Sequence, residues 1–97
     1  MIVRIGEFQA APGQAEALKA FLLSLSDYIC NSPGCLSYEV LCLVDEADRL
    51  MVIERWDSAE QHRASVQAYP SDKMQAAMSL FAAPPSGGYY SLAQAQA

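Results

Sequence analysis

The chain carries one tryptophan, one histidine and three cysteines among 97 residues, and each shortage excludes something. Cys30, Cys35 and Cys42 form an odd set with no CxxC pair, so neither a disulfide framework nor a zinc site is indicated; they read as free, mostly buried thiols. Basic residues are also few, 6 against 11 acidic ones for a net charge of −5. That balance repels phosphate backbones, and no Lys/Arg cluster or glycine-aromatic signature offsets it, which argues against nucleic acid as a partner. Met1-Ile2-Val3-Arg4 is not a charged leader ahead of an apolar run, and no later stretch reaches membrane-spanning length. The chain therefore reads as a soluble cytoplasmic protein with no membrane partner. No metal-ligand set, nucleophile triad or phosphate loop is present.

What is present is organised around Leu50–Ser65, where the lone Trp56 and lone His62 fall at the junction of a strand and a helix. Leu50 to Trp56 is apolar on both faces, as a strand covered on both sides should be. Asp57-Ser58 then offers an N-cap, and Ser58 with Gln61 makes a capping box, which starts a helix at Ala59 and puts His62 one turn into it. Its apolar stripe runs Ala59, His62, Val66 and Tyr69, and Pro70 ends it.

Ahead of this junction, Ile2 to Phe8 is β-rich and ends at Pro12-Gly13. Ala15, Leu18, Leu22, Leu25 and Ile29 recur at alternating spacings of three and four, which predicts an amphipathic helix stopped by Asn31-Ser32-Pro33-Gly34. Cys35 to Val44 alternates Leu36, Tyr38, Val40 and Cys42 with Ser37, Glu39, Leu41 and Leu43. The polar turn Asp45-Glu46-Ala47-Asp48 predicts an antiparallel hairpin between Cys35–Val44 and Arg49–Trp56. After Pro70, Asp72 with Gln75 starts a third short helix with Met74, Ala77, Met78 and Phe81 on its apolar side. Ala82 to Gly88 is a loop, Tyr89 to Leu92 a last strand, and Ala93–Ala97 a frayed tail.

The order is strand, helix, strand, strand, helix, short helix, strand. This is a single α+β domain over 1–92 of the ferredoxin-like split βαβ type, an antiparallel sheet with its helices on one face. Leu41, Leu43, Met51 and Ile53, or their alternates, are then left on the other face with no helix to cover them. At about 25 cal/mol per Å² of apolar surface, leaving them wet forfeits several kcal/mol, so two sheets are expected to pack face to face in a homodimer.

Three runs resemble the antibiotic biosynthesis monooxygenase (ABM) family: Pro12-Gly13-Gln14, Pro33-Gly34-Cys35-Leu36-Ser37-Tyr38, and above all Glu54-Arg55-Trp56-Asp57-Ser58-Ala59-Glu60. The resemblance spans roughly Ile2 to Leu92 and implies a dimeric ferredoxin-like α+β barrel that oxygenates a quinol or polyketide-type phenol with O₂, often without cofactor. Two departures stand out. Many members carry a His nine residues after the Trp, where this chain has Ser65. The haem-degrading branch carries an Asn on its first strand, and Met1–Phe8 holds none, which argues against haem degradation.

By alternation Leu50, Val52, Glu54 and Trp56 share one side of their strand. The resemblance assigns that side to the helices, so Trp56 and His62 are expected to face each other across an apolar pocket suited to a planar phenol. His62 is the candidate base because imidazole ordinarily titrates near neutrality, although a lone His on an apolar stripe is more often a core residue. Glu54 is the second catalytic candidate; its structural alternative is an ion pair with Arg4 or another basic residue near the strand. Trp56 would stack on the ligand, and Tyr38, Ser65 and Tyr69 would hydrogen-bond to it. A non-catalytic dimeric ligand-binding or stress-related protein is the rival reading, motivated by Ser65 in the family's His position.

Overall fold

Alternation of inward and outward residues builds four strands, and pairing between distant segments sets their order. The computed structural model describes residues 1–93. Strands β1 (Ile2–Gln9), β2 (Cys35–Cys42), β3 (Arg49–Trp56) and β4 (Ser86–Tyr90) form one antiparallel sheet in the order β2-β3-β1-β4. This is the ferredoxin-like split βαβ arrangement expected from the element order. Of the tail expected over 93–97, residues 94–97 lie outside the described residues.

The helices pack on one sheet face. Along β3, Leu50, Val52, Glu54 and Trp56 are all buried while Met51, Ile53 and Arg55 between them are only partly covered. Leu18 and Leu22 from α1 (Ala15–Ser24) join Leu50, Val52 and Ala10 in the core, with Phe8, Phe21, Tyr38, Val40 and Phe81 around them. On the opposite face Leu41 stays 43 % and Leu43 50 % exposed, as expected for a face that no helix among the described residues covers.

Several element boundaries depart from the sequence reading. The first helix is two: α1 stops at Ser24, Leu25 forms a tighter link through Leu25 N–H to Leu22 O, and α2 (Ser26–Cys30) follows. Gly34, at φ +88°, turns the chain into β2, a left-handed conformation that costs glycine little. Strand β2 ends at Cys42 rather than Val44, because Leu43 N–H already bonds Arg49 O to close the hairpin turn. Helix α3 (Ala59–Ala68) begins as expected, with Ser58 Oγ accepting from Gln61 N–H. The reciprocal half of the capping box is different: Gln61 Oε1 accepts from the Ser58 hydroxyl.

Tyr69 stands just past α3, in extended conformation at its C-cap, and Val66 is 55 % exposed, so the buried stripe of α3 is His62 and Ser65. Helix α4 (Ser71–Ala77) starts one residue before Asp72, with no side-chain cap, and passes into a 3₁₀ turn, Met78–Leu80. Phe81 has left the helix and packs on Phe8 with ring centroids 5.9 Å apart, beside a bridge from Ala10 to Phe81. Strand β4 begins at Ser86, inside the stretch expected to be loop, and stops at Tyr90. The cysteines are free, but Cys30 and Cys42 are exposed and Cys35 half-buried. Burial pushes the Cys35 thiol up to about 11, so it stays protonated at neutral pH.

Candidate active site

Between the helices and the sheet lies a cavity of about 260 Å³. The sheet supplies its floor through Arg4, Gly6, Val52, Glu54 and Trp56, and α1 to α3 supply its walls, including Leu22, Tyr28, His62 and Ser65. A cavity of roughly 150 Å³ accommodates benzene, so this one has room for about two fused rings.

Three of its polar side chains, Trp56, Glu54 and His62, form a row that continues to Tyr89. Trp56, fully buried, donates its indole N–H to Glu54 Oε1 at 3.0 Å. The other oxygen, Oε2, lies 4.0 Å from His62 Nε2, and His62 Nδ1 lies 2.7 Å from the Tyr89 hydroxyl. The rings meet edge to face: Trp56 and His62 at 5.5 Å and 72°, His62 and Tyr89 at 5.4 Å and 78°. Three elements converge here. Period-two alternation puts Glu54 and Trp56 on the same side of β3, the Ser58 cap fixes the start of α3 and hence His62, and pairing of β4 with β1 carries Tyr89 into place opposite Arg4.

Burial shifts the two titratable groups of this row in opposite directions. His62 is lowered from 6.5 to about 4, first by desolvation and then by the positive charges of Arg4 and Arg63, so it is a neutral imidazole at neutral pH. Its ordinary near-neutral titration, which recommends it as a base on sequence grounds, does not survive burial. Glu54 is raised by desolvation, opposed by the Trp56 hydrogen bond and the charge of Arg4, and so moves toward the range in which a carboxylate exchanges protons near neutrality. Its structural alternative, a close ion pair with Arg4, does not form: Glu54 meets Trp56 and His62 instead. A neutral imidazole whose Nδ1 accepts from Tyr89 turns Nε2–H toward Glu54, the arrangement that gives each proton of the row an acceptor direction.

The remaining candidates also line the cavity, and the polar atoms of Tyr38 and Ser65 are engaged. Tyr38 donates its hydroxyl to Leu22 O at 2.6 Å, and burial keeps it protonated by pushing its pKa far above the ordinary range. Ser65 shares a hydrogen bond with Ser32 Oγ at 2.8 Å, while its carbonyl accepts from the Tyr28 hydroxyl at 2.7 Å. Tyr69 packs edge-on against Tyr28, ring centroids 5.1 Å apart. These three therefore shape the wall, and Tyr28 ties α2 to α3 behind it. Tyr89, the ring that completes the row, was not among the sequence candidates. Its only signal is an aromatic following Gly87-Gly88 in a short strand, too general to single out. Among the described residues no three His, Cys, Asp or Glu side chains cluster as a metal-ligand set, and no helix is long and apolar enough to cross a membrane.

Solved structures share this fold. A Chloroflexus aurantiacus J-10-fl protein, provisionally named an antibiotic biosynthesis monooxygenase, is 31 % identical, with TM-score 0.74 over 98 % of this chain and 96 % of its own. A Nitrosomonas europaea protein given the same provisional name has TM-score 0.85 at 19 % identity, covering 97 % of this chain and 100 % of its own. A Mycobacterium tuberculosis protein has TM-score 0.84 at 20 % identity, covering 99 % and 98 %; these last two likenesses show the fold alone. No curated protein matches the chain significantly. The family model described as antibiotic biosynthesis monooxygenase matches residues 1–79, and the chain belongs to that family.

Proposed function

We propose that the protein is a monooxygenase that oxidises a small aromatic quinol or polyketide-type phenol with O₂ and needs no cofactor. The observation that carries this reading is the row Trp56–Glu54–His62 on one side of a largely apolar cavity, with Tyr89 held on the far nitrogen of His62. Such a cavity takes a planar ring by burial and leaves a few polar groups to act on its oxygen.

Glu54 is the proton acceptor in this scheme. Its raised pKa brings its basicity closer to a phenol's, and the adjacent Trp56 N–H and neutral His62 keep the carboxyl oriented. The phenolate transfers one electron to O₂, and the aryloxyl radical and superoxide recombine with a proton to a hydroperoxide. Loss of water then gives the quinone. One oxygen atom enters the product, the other leaves as water with two substrate hydrogens, and the substrate supplies all four electrons. The protein contributes a dry cavity, a base and N–H donors beside the developing oxyanion.

A second reading, ligand binding without turnover, is favoured by Ser65: a hydroxyl held by Ser32 stands where many relatives carry an imidazole. Oxygen uptake with naphthohydroquinones and anthrones separates the two. Uptake above autoxidation that falls in Glu54→Gln supports the enzyme; uptake equal to autoxidation with every substrate supports the binding protein.

The open sheet face motivates the proposal of a homodimer. Leu41, Met51 and Ile53 lie together there by register, Leu41 opposite Met51 and Ile53 opposite Ile5. A second copy of the same face would cover them.

A further inference from the structure

One end of the cavity carries positive charge that no side chain of the described residues answers at close range. Arg4 lies in β1 opposite Tyr89, and its guanidinium sits 5.0 Å from the centre of the Tyr89 ring. Arg63, from α3, reaches the same ring at 5.1 Å. Lys19, Arg49 and Arg55 each meet a carboxylate at 3.7, 3.0 and 3.7 Å, whereas among the described residues none comes within 4.0 Å of Arg4 or Arg63.

The position of Arg4 is built into the backbone. A Cβ at Gly87 would stand 2.9 Å from Arg4 Nη2 and 2.5 Å from Ile5 O, so only glycine there leaves the guanidinium its place. Arg4 lines the cavity alongside Ser86 and Glu54. The nearby acid does not consume this charge through contact: Glu54 directs Oε1 to the Trp56 indole and Oε2 toward His62. A half-buried guanidinium stacked on an aromatic ring, with its planar fork free, is suited to bidentate recognition of a planar anion.

We infer that the cavity's ligand is an aromatic carboxylate, whose ring lies against Trp56 and His62 and whose carboxylate docks on Arg4, with Arg63 adding attraction from the rim. This rests on the reading of the cavity as the ligand site and narrows the phenol or quinol to one bearing a carboxylate substituent. It also separates two tasks: Arg4 anchors the anion, and Glu54 is left to take the phenolic proton.

The test is binding of naphthoate and of naphthol, matched in ring size and inert to O₂ under anaerobic conditions, followed by quenching of the lone Trp56 and by calorimetry. A charge-assisted pair predicts naphthoate binding about tenfold or more tighter than naphthol in wild type. That preference should vanish in Arg4→Gln, persist in part in Arg4→Lys and weaken slightly in Arg63→Gln. Naphthol should still bind Arg4→Gln measurably, which verifies that the variant keeps its cavity. Equal affinity for the two probes in wild type, or an undiminished naphthoate preference in Arg4→Gln, overturns the carboxylate inference while the cavity reading stands. If neither probe binds wild type, both are overturned.

Discussion

Tyr89, in the edge strand β4, holds its hydroxyl 2.7 Å from Nδ1 of His62 on α3 and so ties the sheet edge to the one imidazole that lines the cavity. The contact couples the ring's tautomer to the hydroxyl: a neutral ring with its proton on Nε2 accepts at Nδ1 from Tyr89. A hydroxyl donated to Nδ1 favours the neutral ring, in the same sense as the burial around it.

The first prediction concerns that ring's titration. Because the chain has one His, its imidazole proton resonances are unambiguous by NMR, and they should titrate with a midpoint at about 4 rather than 6.5. In Tyr89→Phe the midpoint should rise. The lowered folded value means that the unfolded chain takes up this proton first. The contribution of His62 to stability is therefore fully present above pH 6.5 and lost as pH falls to about 4; it amounts to at most about 3 kcal/mol. Glu54 acts in the opposite sense, since its penalty is relieved as pH falls through its raised folded value. Urea denaturation across this range should show the His62-linked slope in wild type and lose it in His62→Phe. An NMR midpoint near 6.5 contradicts the assignment.

Trp56→Phe removes the indole N–H from Glu54 Oε1 while keeping an aromatic ring. Leaving a buried carboxyl without its donor should cost about 1–3 kcal/mol by chemical denaturation. Loss of the hydrogen bond that lowers the Glu54 pKa should also move the acidic limb of the pH–rate profile upward.

Gly87→Ala places a methyl 2.5 Å from Ile5 O, a backbone atom that cannot rotate away, and 2.9 Å from Arg4 Nη2. Overpacking of this kind costs about 1–3 kcal/mol. Thermal denaturation should show a lowered midpoint, and naphthoate affinity should fall more than naphthol affinity because Arg4 is displaced. Equal loss for both ligands would mean that the glycine serves the sheet alone.

Ile53→Glu puts a charge in the middle of the open sheet face, opposite Ile5, away from the cavity. Sedimentation equilibrium should give a dimer for wild type and a monomer for the variant. A monomeric wild type at micromolar concentration removes the dimer from the account.

The legible parts of this protein were those governed by local rules. Period-two alternation placed Leu50, Val52, Glu54 and Trp56 on the buried side of β3, and the Ser58 cap placed His62 against Trp56. Proline and glycine marked the ends of elements, with Gly13 and Gly34 both at positive φ. What could not be read depended on partners distant in sequence. Tyr89 reaches His62 only because β4 pairs with β1 at the sheet edge, opposite Arg4. Desolvation of His62 and Glu54 comes from walls contributed by several elements, so their ordinary pKa values were the wrong guide. Cysteine's usual preference for the interior misplaced Cys30 and Cys42, which end a short helix and an edge strand where little packs over them.

The most direct test of the central claim is mass spectrometry of the product formed from a naphthohydroquinone or anthrone under isotopically labelled O₂. One labelled oxygen atom per product molecule is expected with wild type, at a rate above autoxidation, and a rate about a hundredfold or more lower with Glu54→Gln, the scale at which a general base contributes. Product oxygen drawn from water, or turnover that Glu54→Gln leaves unchanged, would contradict it.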